Sequence, residues 1–281
     1  MGPPQPSPEI PELSSGDKAG AGYWDRLWGN ESLPAAIDPY GRGAKNFPAR
    51  RFHQYFQEAF KGLPAQGRKL LEVGCAQSAL LPYFSKHFGF EVFGIDRSEI
   101  GCEKARKVLQ REGVVGQIYC ADLFSPPGEL LGQFDAVLSM GVIEHFEKTA
   151  ECVTAMARFL KPGGRLITVI PNLAGVLGSL QKALDRFVYD VHVRLDRLRV
   201  AGAHRVAGLE VIRCDYFLFA NFCVLNVENW RQGSAYKSVV RLCYWISKVF
   251  WLAEGFLPLF KPNPRFWSPS GRFLRGERRP P

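Results

Sequence analysis

The chain has 281 residues, of which 46% are hydrophobic, and its formal net charge is +9. This length and composition suffice to bury the core of one large domain with additions. The seven cysteines include no C-x-x-C pair, which disfavours a disulfide framework or a zinc site and indicates a reducing compartment. The N-terminus lacks the apolar segment of a signal peptide, so a cytoplasmic protein is expected.

The N-terminal residues divide into two parts by composition. Residues 1–21 are rich in proline, glycine and serine, which predicts a disordered tail. Residues 22–66 predict a helical N-terminal cover, because apolar side chains recur there at helical spacing. The clearest set is Phe52, Tyr55, Phe56, Ala59 and Phe60. We interpret these aromatic side chains as packing residues, since stripes of this kind usually belong to a core.

Residues 67–220 alternate apolar runs with amphipathic segments, which predicts parallel strands joined by right-handed helical crossovers. The predicted strands span 69–73, 91–95, 117–120, 134–140, 165–170 and 208–219. The predicted fold class is therefore α/β, with a Rossmann-like doubly wound sheet. Residues 173–205 interrupt the pattern and predict a helical insert that forms a lid.

Residues 221–281 form a C-terminal extension. Residues 265–274 predict an antiparallel strand that closes the sheet at its edge. Residues 239–253 are unusually apolar and belong to a longer segment, 239–260, that could contact a membrane. A basic tail follows, with Lys261, Arg265, Arg272, Arg275, Arg278 and Arg279. The apolar segment is compatible with a peripheral helix on an anionic membrane, but a buried core or lid helix is the preferred interpretation.

The turn after the first strand carries the clearest sign of ligand binding. Gly74 directly follows a buried strand, where glycine allows a ligand to approach the backbone. Asp96 comes about 20 residues later, the separation at which an acid reaches ribose hydroxyls. Asp122 ends the next strand, where it either accepts from an adenine amino group or caps a turn. The turn has neither G-x-G-x-x-G nor G-K-[ST], which favours an adenosine-containing ligand without phosphates.

These segments resemble the class I S-adenosylmethionine-dependent methyltransferases of the small-molecule, UbiE/UbiG-like type. The matching segments are 71–75, 94–96, 121–123, 134–139, 142–146 and 160–166. The resemblance implies S-adenosyl-L-methionine as the cofactor. It places Glu72 and Gly74 at the methionine part, Asp96 at the ribose, Asp122 and Leu123 at the adenine, and Ser139 and Met140 beside the sulfonium; Cys75, Ala76 and Arg97 complete the predicted cofactor site.

Methyl transfer to an alcohol also requires a base, and His145 is the candidate. The alternative, that Glu144 and His145 merely pack the cofactor, stays open. His192 and His204 are weaker candidates for the base, and Tyr40, Arg50 and Arg51 are weak candidates for acceptor contacts. The sequence shows no cluster of metal ligands, so a reaction without a metal is expected.

The predicted function is methyl transfer to a small molecule, with a sugar or lipid-linked saccharide hydroxyl as one acceptor. A nucleic-acid methyltransferase is an alternative that the net charge favours. Against it, the basic residues cluster in a tail, and no N-P-P-[FYW] motif follows the fourth strand. A non-catalytic member of the family is a third possibility. It is suggested by Ala76 and Ser78, which stand where the family usually has glycines.

Overall fold

The computed structural model describes residues 16–63, 67–218, 220–227, 234–256 and 272–278. The strands are β1 (Lys69–Val73), β2 (Glu91–Asp96), β3 (Gly116–Cys120), β4 (Phe134–Met140), β5 (Leu160–Ile170), β6 (Leu209–Tyr216) and β7 (Arg272–Arg278). The helices are α1 (Ala21–Asn30), α2 (Phe47–Phe60), α3 (Leu80–Phe88), α4 (Glu99–Arg111), α5 (Thr149–Ala157), α6 (Val176–Leu184), α7 (Arg186–Asp190), α8 (Arg197–Val206) and α9 (Ser234–Phe256).

These strands form one sheet in the order β3-β2-β1-β4-β5-β7-β6. The strands β1 to β5 are parallel, as expected for apolar runs joined by helices. Chain order reverses between β1 and β4, which lie side by side. Ligands bind in open α/β sheets at such a reversal, outside the carboxyl ends of the strands. The Rossmann-like α/β fold is thus confirmed.

The antiparallel strand differs from the sequence prediction in position. β7 lies inside the sheet, where it pairs in antiparallel fashion with both β5 and β6, so β3 and β6 are the edges. The prediction of an edge strand was wrong because pairing partners depend on distant segments, which the local pattern does not reveal. Residues 265–271 of the predicted strand lie outside the described residues.

The position of β7 also corrects the prediction of a basic tail. Arg272, Arg275 and Arg278 belong to β7 and are therefore part of the sheet. Lys261, Arg265 and Arg279 lie outside the described residues.

Two apolar layers cover the faces of the sheet, and the aromatic stripe of α2 contributes to one of them. Phe56 is fully buried and lies edge-on to Phe84 of α3, with ring centroids 4.8 Å apart. Phe60 contacts Phe90 in the same manner at 4.9 Å. The interpretation of these residues as packing residues is confirmed for Tyr55, Phe56, Ala59 and Phe60, which are buried, whereas Phe52 is only half-buried.

The last residues of the predicted disordered tail, from residue 16 onwards, make defined contacts. Residues 1–15 lie outside the described residues. Asp17 forms a β-bridge with Phe146, and the Lys18 amide donates to the His145 carbonyl at 2.9 Å. The Asp17 carboxylate also pairs with Arg97 at 3.2 Å. Contacts with distant side chains hold this segment, and local composition does not report such contacts.

Helix α9 combines a buried and an exposed face. Trp251 is buried, whereas the Trp245 side chain is 59% exposed. The prediction of a buried core or lid helix therefore describes one face only. Among the described residues, no helix combines the length and apolar character needed to cross a membrane.

Candidate active site

A cavity of about 540 Å³ opens at the carboxyl ends of β1, β2 and β4, beneath α1. This volume lies within the range of small-molecule and cofactor sites. Of the predicted site residues, seven line the cavity: Gly74, Asp96, Arg97, Asp122, Leu123, Met140 and His145. Three aromatic side chains of α1 cover it: Tyr23, Trp24 and Trp28.

The floor of the cavity is the turn after β1. Gly74 adopts a φ of 77°, which side chains other than glycine rarely tolerate, and its amide donates to the Ile95 carbonyl at 2.9 Å. A Cβ atom at Gly74 would lie 2.5 Å from Cγ2 of Val142. The position therefore requires glycine both for backbone conformation and for space.

Asp96 lies at the end of β2 beside this turn. Its Oδ2 accepts from the Ala76 amide at 3.0 Å, and its Oδ1 accepts from the Ser98 amide at 2.8 Å. Burial raises the pKa of Asp96, and the two backbone hydrogen bonds oppose that rise. Each carboxylate oxygen retains a second lone pair, so both can still accept from a ligand hydroxyl.

Four residues of the predicted cofactor site are buried but do not line the cavity: Glu72, Cys75, Ala76 and Ser139. The Glu72 carboxylate accepts from the Ser78 hydroxyl at 2.5 Å. Cys75 packs towards Gly94 of β2, and the Ala76 methyl group packs towards Gly101 of α4. Their contact with the cofactor stays a prediction.

The contact between Ala76 and Gly101 predicts a coupled pair of substitutions. A Cβ atom at Gly101 would lie 2.5 Å from the Ala76 Cβ, so Gly101→Ala should destabilise the fold by about 1–3 kcal/mol despite its better helix propensity. Adding Ala76→Gly should restore part of that loss, because contacts of 3.2 Å with the Ala76 Cα and Trp28 Cδ1 remain, as measured by urea denaturation of all four variants. Purely additive effects would show that the two side chains do not meet.

Glu72 predicts a pH dependence of stability. Burial raises its pKa from 4.5 to about 8, so the folded state holds a proton that the unfolded state has released. The free energy of unfolding should therefore fall as pH rises between these values. Between about pH 6.5 and about pH 8, the melting temperature of both proteins should fall. The fall should be smaller in Glu72→Gln than in the parent by at least about 2 °C. Glu91→Gln, at an exposed position, is the control and should behave like the parent.

The N-terminal segment closes one end of the cavity. The Asp17 carboxylate, which pairs with Arg97, also accepts from Trp24 Nε1 at 3.3 Å. Asp122 Oδ1 accepts from the Phe124 amide at 2.8 Å, so this side chain caps a turn while it lines the cavity. Sequence reasoning missed Asp17, because it lies in a stretch whose composition suggests disorder.

His145 also lines the cavity, in a short 3-10 turn that contacts the N-terminal segment and Trp24 of α1. Its Nδ1 is 3.2 Å from the Val191 carbonyl, which can only accept, so Nδ1 carries the proton and Nε2 keeps its lone pair. His192 is arranged in the same way, with Nδ1 2.6 Å from the Val188 carbonyl. Burial, with His192 adding to it, lowers the pKa of His145 to about 3.

Glu144 is buried beside the two imidazoles. Its Oε2 has no hydrogen-bond partner among the described residues, and burial raises its pKa to about 8. Ligand atoms of Glu144, His145 and His192 all lie within 4.8 Å of one another, so this group has the donor set for a divalent cation. Sequence reasoning missed the grouping, because His192 comes from the insert and only folding brings it to the strand end.

Of the weaker candidates, His192 lines the cavity. Tyr40, Arg50, Arg51 and His204 lie outside the cavity lining, so their predicted roles are corrected. Tyr40 is exposed, Arg50 donates to the Gly41 carbonyl at 2.6 Å, and Arg51 pairs with Glu254 at 3.7 Å. His204 is fully buried in α8 and uses both ring nitrogens, towards Thr168 and Val200. The polar groups of Arg50, Arg51 and His204 contact other parts of the protein. Local sequence does not distinguish such contacts from contacts with a ligand.

Comparison with known proteins agrees with this geometry. Residues 71–168 match the family described as "Methyltransferase domain". This match supports a class I S-adenosylmethionine-dependent methyltransferase domain of the UbiE/UbiG-like type within residues 71–168, with S-adenosyl-L-methionine as its cofactor.

Two relatives extend the likeness beyond the domain. A ubiquinone biosynthesis O-methyltransferase of Thiobacillus denitrificans is 32% identical over 157 residues, which are 52% of this chain and 66% of that protein. A chloroplastic tocopherol O-methyltransferase of Arabidopsis thaliana is 27% identical over 162 residues, covering 53% of this chain and 46% of that protein. The chain therefore spans less than two thirds of the length of either relative.

The fold has a close counterpart among solved structures. A putative sarcosine dimethylglycine methyltransferase from Galdieria sulphuraria superposes with a TM-score of 0.62 at 14% identity, over 92% of this chain and 98% of that one. At this identity the likeness supports the fold alone.

Proposed function

We propose that the protein transfers the methyl group of S-adenosyl-L-methionine to a hydroxyl of a small molecule with an apolar body. The observation that carries the proposal is the cavity itself, which runs from Gly74 and Asp96 at the cofactor strands to His145. The protein aligns the two reactants and excludes water, while the cofactor supplies the reactive methyl group. The two relatives named as O-methyltransferases favour oxygen as the acceptor atom.

The proposed cofactor position follows the strand ends. Asp96 would accept from both ribose hydroxyls, and the backbone beside Asp122 and Leu123 would border the adenine. Gly74 and Met140 lie across the cavity floor, where the methionine part and the sulfonium would sit. Four predicted residues do not line the cavity and would instead pack beneath the backbone that binds the cofactor: Glu72, Cys75, Ala76 and Ser139.

The rest of the cavity would hold the acceptor. Phe52, Phe217 and Leu218 give this part an apolar lining, which suits an aromatic or isoprenoid body. A saccharide presents many hydroxyl groups, and this lining offers them few partners, so a sugar acceptor is disfavoured.

His145 is the proposed base, because its Nε2 lone pair is kept free by the hydrogen bond at Nδ1. A hydroxyl placed at Nε2 would transfer its proton to the imidazole as the oxygen attacks the methyl carbon and the C–S bond breaks. Glu144 is a second candidate, since it lines the same cavity and its Oε2 has no hydrogen-bond partner among the described residues.

The proposal is tested by incubating the protein with donor carrying a labelled methyl group and a panel of acceptors. Phenols and catechols with apolar tails should become labelled, whereas glycosides and oligonucleotides should not. Labelled oligonucleotides would favour the nucleic-acid alternative. Donor binding by calorimetry without transfer to any member of a broad panel would favour the non-catalytic alternative.

A further inference from the structure

The outward face of α9 carries an apolar stripe. The stripe consists of Leu242, Trp245, Val249 and Leu252, whose side chains are 59%, 59%, 64% and 44% exposed. Their spacing of i, i+3, i+7 and i+10 places them along one side of the helix. Contiguous exposed apolar surface of this kind commonly marks an interaction site.

A row of cations runs beside the apolar stripe. Lys237, Arg241 and Lys248 follow one another at i, i+4 and i+11, and Lys248 Nζ lies 4.6 Å from the centre of the Trp245 ring. The one acidic residue of Ser234–Phe256 is Glu254, whose carboxylate is 7% exposed and turned towards Arg51. The outer surface of α9 is therefore apolar and cationic, with no exposed acid of its own.

The inward face of α9 holds a segment that lines the active-site cavity. Trp251 Nε1 donates to the Ala220 carbonyl at 3.0 Å, and Ser247 Oγ accepts from the Phe222 amide at 2.7 Å. Phe217, Leu218 and Asn221 of this segment line the cavity. The helix thus connects an exposed apolar surface directly to the proposed acceptor end.

We propose that α9 docks on the surface of an anionic lipid bilayer, with the apolar stripe at the level of the headgroups and the cations against lipid phosphates. Interfacial helices combine these features, with Trp and Leu on one face and Lys and Arg beside them. A second copy of the chain is a poorer partner, because two such rows of cations would face each other. If the proposed function holds, an acceptor with an apolar body would reach the cavity from the lipid phase.

The test is flotation of the whole protein with vesicles of phosphatidylcholine alone or mixed with phosphatidylglycerol. The protein should float with the anionic vesicles, and added salt should weaken binding because the cations contribute to it. Trp245→Glu with Val249→Glu should weaken binding at least about tenfold. Leu198→Glu with Val206→Glu replaces two exposed apolar residues of α8 and is the matched control, which should bind like the parent.

Several outcomes would overturn this proposal. Absence of flotation with either vesicle is one, and equal loss of binding in the α8 control is another. A concentration-dependent dimer in analytical ultracentrifugation that the α9 substitutions abolish would identify a second copy as the partner. Vesicle binding needs neither cofactor nor turnover, so its failure leaves the methyl-transfer proposal standing, and the reverse also holds.

Discussion

Asp96→Asn should weaken the binding of S-adenosylhomocysteine by about 10- to 100-fold in isothermal titration calorimetry. The carboxylate is half-buried beside the turn after β1, and its free lone pairs are proposed to accept from the ribose hydroxyls. Hydrogen bonds to a charged group are worth about 1.5–3 kcal/mol each, and 1.4 kcal/mol corresponds to a tenfold change in affinity. The amide can accept at one atom only, so at least one ribose contact is lost.

Asp135→Asn is a matched control for this experiment. Asp135 also accepts a backbone hydrogen bond, from the Lys69 amide at 2.8 Å, and it pairs with Lys161, but it does not line the cavity. Its replacement should lower the melting temperature and leave the affinity for S-adenosylhomocysteine unchanged. If Asp96→Asn also leaves the affinity unchanged, the proposed ribose contact is wrong.

His145→Gln should lower kcat by about tenfold or more; a general base with a pKa near the working pH contributes about 10²- to 10⁴-fold, and the lowered pKa of His145 makes its imidazole a weaker base. Affinity for S-adenosylhomocysteine should stay within about threefold, because the cofactor strands are untouched. His87→Gln is the control, since His87 lies outside the cavity lining and should retain the parent rate. Loss of cofactor binding in His145→Gln would instead support the interpretation that His145 packs the cofactor.

The pH profile separates His145 from Glu144 as the base. The pKa of His145 is lowered to about 3, so its imidazole is neutral above about pH 5, and kcat should not fall between about pH 8 and pH 5. The pKa of Glu144 is raised to about 8, so a Glu144 base would become protonated in that interval. The rate would then fall roughly tenfold for each pH unit below 8, and Glu144→Gln would remove the activity.

The sequence alone determined much of the fold. Strands β1 to β5, the turn at Gly74 and the acids at the ends of β2 and β3 all follow from apolar runs and the residues that end them. These signals are local, because a buried parallel strand needs a continuous apolar run and a ligand-facing turn needs glycine. The position of Asp96 relative to Gly74 follows as well, since one crossover fixes the distance between neighbouring strand ends.

Tertiary structure decided the features that depend on partners far away in the chain. β7 entered the sheet between β5 and β6, Asp17 closed the cavity through Arg97 and Trp24, and His192 joined His145 and Glu144. In each case the stabilising contact joins segments that are distant in sequence, so no local pattern records it. The same holds for α9: its composition shows an apolar helix, but only packing against Ala220 and Phe222 decides that Trp251 is buried while Trp245 faces outward.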